Sequence, residues 1–222
     1  MWNRILRLTP PNRLFPLLTS VGLMVGLLGY GSVSPMQAER PPNRYDAAAA
    51  ETRIKAAATA AGVPYPFENP EIRIFKKPRR LELWASGKMV KKYRVGLGAD
   101  PELDKIRQGD HRTPVGEFYV CTRNDRSNYH LFLGVSYPNT EDAERGLRDK
   151  LITKSEYSLI LSAMKRKERP PWETGLGGMV GIHGYGSASD WTWGCVALEN
   201  FEIEELFVSC PLKTPIFITT EG

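Results

Sequence analysis

The chain has 222 residues, 41% hydrophobic and 25% charged, which excludes a fibrous or disordered protein and leaves room for one or two domains. Thirty basic against 25 acidic side chains give a formal charge of +5. The excess is scattered, with basic blocks only at KKPRR (76–80) and KRKER (165–169), so no nucleic-acid partner is expected and these blocks are read as solvated faces.

Taken in chain order, Arg4, Arg7 and Arg13 come first, followed by an uncharged, mostly apolar run from Leu14 to Val33 and small residues up to Ala38. A basic segment, an apolar stretch and a small residue at a cut site describe an export signal over residues 1–38. An uncleaved membrane anchor is the second reading, since the run is nearly long enough to span a bilayer. Either way the body of the protein is expected in the periplasm or the cell envelope. Residues 39–69 read as a Pro-rich linker and one short helix. That helix, 46–62, has an N-cap Asp, an alanine-rich body and a terminal Gly.

A single domain is expected over 70–222. Alternating or aromatic-rich segments predict strands at 72–77, 80–86, 89–98, 113–124 and 129–139. The segment 154–171 is the clearest helix, with Pro170 as its stop. Strand signals return at 177–186, at 196–200 and at 214–220, and Asn200 is placed to cap a short helix, FEIEELF. The sum is mainly β with a few α-helices, an α+β domain. GLGG (175–178) lacks the Lys-Ser/Thr and βαβ context of a nucleotide loop.

Cys121, Cys195 and Cys210 are an odd number of cysteines. In an oxidising compartment the natural arithmetic is one disulfide and one free thiol, with Cys121 and Cys210 as the pair if Cys195 is a working thiol. The alternative makes both small buried hydrophobes. The informative stretch is GIHGYGSASDWTWGCVALEN (181–200), which sets His183 and Cys195 twelve residues apart among glycines. Zinc is held by about three or four ligands at short spacings, and none of those spacings occurs, so no metal is expected. A hydrogen-bonded core histidine and a buried thiol form the second reading. The third is a thiol nucleophile with an imidazole base. A free thiol, pKa about 8.5, is only a few per cent ionised at neutral pH and needs such a base. Gly194 beside the sulfur leaves room for amides to face an oxyanion.

The same stretch resembles the signature of the YkuD-type L,D-transpeptidase catalytic domain, an HG followed by [S/T]-x-G-C and an Asn. The matches are His183-Gly184, Thr192-Trp193-Gly194-Cys195 and Asn200. GDHRTPVGEFYV (109–120) is similar to the family's RTPxGxF strand, and the likeness extends from about Ile72 to Ile218. The resemblance implies a β-sandwich or partial barrel and a cysteine acyltransferase of peptidoglycan stem peptides, with no cofactor. It makes Cys195 the nucleophile, His183 its base, and the amides of Cys195 and Gly194 the oxyanion hole. Thr192 or a nearby carbonyl orients the imidazole, and Gly184, Tyr185, Trp193, Arg112 and Asn200 face substrate. The sulfur attacks the diamino acid carbonyl, D-alanine leaves, and an amine takes the acyl group. That amine belongs to another stem, a wall-anchored protein or a free D-amino acid. With water instead, the protein is a carboxypeptidase or amidase; without chemistry, it is a wall-binding module. Two departures stand out. Ala197 replaces an Arg found in many members, and the short His-to-Cys interval implies a compact lid.

Overall fold

Helix α1 (Ala47–Ala61) opens the part of the chain described here, residues 43–221 of a computed structural model. The stretch expected to be an export signal lies outside the described residues. Asp46 caps α1 by accepting the Ala49 N–H at 2.9 Å, and Gly62 ends it at φ +62°. Ala50, Ile54 and Ala58 recur every four residues and bury one face. Arg53 reaches from α1 to Glu204 and Glu205, both at 3.0 Å.

The strands are β1 (Glu71–Phe75), β2 (Arg80–Ala85), β3 (Lys88–Arg94), β4 (Gly116–Ser127), β5 (His130–Val135), β6 (Gly181–His183), β7 (Val196–Ala197) and β8 (Pro215–Thr219). They form one sheet in the order β3-β2-β1-β8-β4-β5-β6-β7. β1 with β8 and β6 with β7 run parallel, and the other neighbours run antiparallel. The chain just beyond β3 then bridges to the far side of the sheet, Gly96 to Ala197 and Gly98 to Thr192. The two ends of the strand order therefore meet, and the sheet curls into the partial barrel of the mixed fold that was expected.

Strand alternation fills the interior. Ile72 and Ile74, Leu81 and Leu83, Ile216 and Ile218, and Leu131 and Leu133 all point inward and are fully buried. Each such side chain contributes about 1.5–3 kcal/mol of transfer free energy. Helix α4 (Asn200–Ser209) adds Ile203, Leu206 and Phe207 to the same core.

Helices α2 (Thr140–Arg148) and α3 (Lys154–Arg166) share a second, smaller core of Ala143, Ile152, Ile160 and Leu176. The sequence pattern gave no sign of α2, because nine residues with five charges carry no apolar stripe. A capping box between Asn139 and Asp142 begins it. Helix α3 ends at Arg166, where Lys167 turns left-handed at φ +52°, so the helix stops before Pro170 is reached.

One further expectation is corrected, and one choice left open by the sequence is answered. The N-cap of α4 is Glu199 rather than Asn200, and Asn200 is its first helical residue. Cys121 and Cys210 are not bridged. Cys210 lies in the main core with Val120, whereas Cys121 sits at a bulge of β4, between the pairs Val120–Val135 and Thr122–Gly134.

Candidate active site

Strand β6 lies between β5 and β7, with His183 opposite Phe132 on one side and Ala197 on the other. The parallel register of β6 and β7, carried two residues back, sets Cys195 level with Gly181. Residues two apart share a face, so the thiol and the imidazole project from the same side of this pair.

His183 is 2% exposed, and burial holds its pKa below the usual imidazole value. Its Nδ1 contacts the Gly184 carbonyl at 2.7 Å, an acceptor that places the ring proton on Nδ1 and leaves the Nε2 lone pair as a base. Tyr129 stacks on the ring at 4.8 Å, and Trp191 meets it edge-on at 5.6 Å. The carbonyl alternative to Thr192 thus orients the imidazole.

Thr192 has other work. Its hydroxyl donates to the Cys195 carbonyl at 2.7 Å and accepts the Gly194 N–H at 3.1 Å, tying the Thr-Trp-Gly-Cys turn together. The Gly194 amide, assigned to the oxyanion hole, is therefore engaged. The Cys195 N–H has no acceptor among the described residues. Gly194 sits at φ +123°, and a Cβ there would lie 2.6 Å from the Arg112 carbonyl, so conformation and space both require glycine.

Cys195 is half-buried, and its sulfur donates to the Met179 carbonyl at 3.5 Å. Burial pushes the thiol up to about 11, opposed by the Gly181 amide and the Lys105 charge. The resting thiol is protonated, with its hydrogen on a carbonyl rather than on the imidazole.

Of the five residues assigned to substrate, two present open rings: Tyr185, 60% exposed, and Trp193, 77% exposed. The other three are engaged within the chain. Asn200 Oδ1 accepts the Tyr185 N–H at 2.9 Å and fills the space where a Gly184 Cβ would stand. Arg112 Nε donates to Asp100 at 2.7 Å. Ala197 is fully buried, its backbone bonded both ways to Gly96 at 3.0 and 2.8 Å, so this position offers no cation to a carboxylate.

The segment between His183 and Cys195 is pinned along its length. Asp190 takes Arg79 through Nε at 3.0 Å and Nη2 at 2.8 Å, and the Leu97 N–H at 2.9 Å. Glu199 holds Ser187, and Trp191 donates to the Gly186 carbonyl at 3.1 Å. Tyr129, Met179, Lys105 and Asp190 were not foreseen as parts of the site. Each lies outside the glycine-flanked motif or carries no motif of its own, and only folding brings them to it. The three histidines act apart, with His130 bonded to Glu204 at 3.0 Å and His111 stacked on Trp193 at 5.4 Å.

No curated protein matches the chain. Among solved structures it is similar to the helical cell shape determining protein Pgp2 from Campylobacter jejuni, with 21% identity, a TM-score of 0.48, and 78% of this chain and 56% of that one covered. It is also similar to an L,D-transpeptidase from Mycobacterium smegmatis, at 9% identity and a TM-score of 0.42, covering 68% and 59%. A third is the L,D-transpeptidase from Xylanimonas cellulosilytica, at 15% identity and a TM-score of 0.40, covering 82% and 96%. The chain thus spans little more than half the length of the first two. The family model of the YkuD L,D-transpeptidase catalytic domain matches residues 69–218, which takes in the whole curled sheet but the last residue of β8, together with the His183 and Cys195 pair. On that match, the chain belongs to the L,D-transpeptidase catalytic domain family.

Proposed function

We propose that this protein is an extracytoplasmic cysteine acyltransferase that transfers peptidoglycan stem peptides to an amine, with Cys195 as nucleophile and His183 as base. The observation that carries this reading is an imidazole whose tautomer is fixed by the Gly184 carbonyl, on the same face as the thiol of the half-buried Cys195. The export signal expected at 1–38 supports the location.

The thiol hydrogen leaves the Met179 carbonyl and passes to His183 Nε2 as the sulfur attacks the carbonyl of the diamino acid in the stem. Such a base contributes about 10²–10⁴-fold. Negative charge develops on the carbonyl oxygen and meets the Cys195 N–H, a donor worth roughly 3–4 kcal/mol in comparable sites. The carbon–nitrogen bond to D-alanine breaks, and the imidazolium gives its proton to the leaving amine. An acceptor amine then attacks the thioester and loses a proton to Nε2, and the sulfur departs as the thiol is restored. Tyr129 and Trp191 keep the imidazole in one plane throughout.

Intact-mass measurement after mixing the protein with a stem tetrapeptide tests this. The expected product is an adduct of the peptide less D-alanine on Cys195, discharged by added amine. A protein that never acquires the adduct, or that still acquires it as Cys195→Ala, overturns the proposal.

A further inference from the structure

Trp193 and Trp191 flank the same turn, but they are used differently. Trp191 is committed to its own chain through the Gly186 carbonyl and the edge of His183. Trp193 exposes 77% of its surface, the largest value for any large hydrophobic side chain among the described residues. One face of its indole lies on His111, with centroids 5.4 Å apart and the rings inclined by 13°. Among the described residues, no other ring stacks on the indole.

This ring is held in place. His111 takes a left-handed backbone at φ +57°, and its carbonyl accepts the Asp100 N–H at 3.1 Å. The Trp193 backbone is fixed from both sides, because the Thr192 N–H bonds to Leu97 at 3.1 Å and the Gly194 N–H to Thr192 at 3.1 Å. This is a flat aromatic face backed by a second ring and open to water, on a fixed stretch of backbone two residues before the thiol, the form that a stacking ligand needs.

The neighbourhood tells which ligand suits it. The exposed rings on His183 are Tyr129 and Trp191, and the exposed Tyr185 meets Tyr129 edge-on, so the aromatic surface here carries polar edges. An aliphatic peptide anchor needs an enclosed pocket. A pyranose needs only a flat ring against its C–H face, while its hydroxyls stay in solvent. Reach agrees as well. Three extended residues of a stem peptide span about 10 Å. Two residues of chain span at most about 7 Å, so the indole starts within that reach of the thiol.

We propose that the Trp193–His111 stack is a sugar platform, whose open indole face takes a pyranose ring of the glycan strand bearing the stem peptide. The identity of the sugar rests on the stem-peptide reading above. Peptide-free glycan fragments of peptidoglycan, titrated into the full chain and followed by tryptophan fluorescence and calorimetry, test the platform without any acyl transfer.

The unsubstituted protein and Cys195→Ala are expected to bind the fragments alike. Trp193→Ala weakens binding about tenfold, the loss of one aromatic stacking contact. His111→Ala weakens it about threefold, and Trp193→Phe keeps most of it. In turnover, Trp193→Ala lowers kcat/KM for a sugar-linked stem about tenfold more than it does for the bare peptide. Fragments that fail to bind, or that bind Trp193→Ala as well as the unsubstituted protein, overturn the platform. Failure of the thioester to form, with glycan binding intact, overturns only the acyl-transfer reading.

Discussion

Cys210 and Cys195 are the same side chain in two regions of one barrel. Cys210 ends α4 inside the main core, fully buried, with its sulfur 3.8 Å from Ser209 Oγ. Cys195 stands half-buried at the mouth of β6 and β7, against a carbonyl. Burial raises both thiols, to about 12 and about 11. The acidity of the resting sulfur therefore does not distinguish the two regions. What differs is the company: one sulfur shares a face of the β6–β7 pair with the His183 imidazole and follows a glycine turn, and its own amide has no acceptor among the described residues, while close packing surrounds the other. On the proposed function, the reactive sulfur is the one marked by its partners, and its proton is removed during the reaction rather than before it.

Substitution breaks the comparison most directly. Cys195→Ala is expected to lower acyl transfer by at least about 10³-fold with little change in Tm, as for other covalent nucleophiles. Cys210→Ala is expected to leave kcat/KM within about twofold and to cost about 1 kcal/mol of stability, through lost packing. Steady-state kinetics and thermal melts on the two variants decide it. Equal catalytic losses would erase the distinction.

A smaller effect sharpens it through pH. Alkylation of Cys195 by iodoacetamide needs the thiolate, so its rate is expected to climb about tenfold per pH unit towards about 11. Acylation by the stem substrate follows the imidazole instead. Burial lowers the His183 pKa, so the base stays neutral down to below about 6.5, and acylation is lost only as pH falls through that lowered value. An alkylation midpoint near neutrality would reveal a preformed ion pair and contradict the resting arrangement.

The barrel was legible in the sequence wherever one physical signal repeats. Period-two burial holds along β1 and β8, where alternation announced the strands, and Asp46 with Gly62 bracketed α1. Helix α2 was silent because a capping box and five charges hold it, not an apolar stripe. In the site, His183 and Cys195 stood out through their glycine surroundings. Their supports did not, since Met179 contributes a carbonyl and Tyr129 a ring face from β-hairpin chain about fifty residues away from His183 in sequence. Backbone acceptors carry no side-chain signature, and stacking across a sheet depends on a register that only folding sets. The glycines were read as places of close approach without their neighbours: Asn200 Oδ1 stands beside Gly184 and the Arg112 carbonyl beside Gly194.

Asn200 offers the finest test of that last point. Its Oδ1 holds the Tyr185 N–H at 2.9 Å and sits over Gly184, whose carbonyl in turn orients the His183 ring. If Asn200 acts through this chain of contacts, Asn200→Ala frees the Gly184–Tyr185 turn and leaves one amide unpaired, at about 1 kcal/mol. The expected result is a threefold to tenfold drop in kcat, about 0.7–1.4 kcal/mol in barrier, with KM nearly unchanged. Asn200→Asp retains the acceptor and is expected to restore most of the rate. A substrate-binding Asn200 behaves differently, because its loss raises KM and leaves kcat in place. The split between the two constants therefore reads which side of the turn this carboxamide serves, the imidazole behind it or the peptide in front.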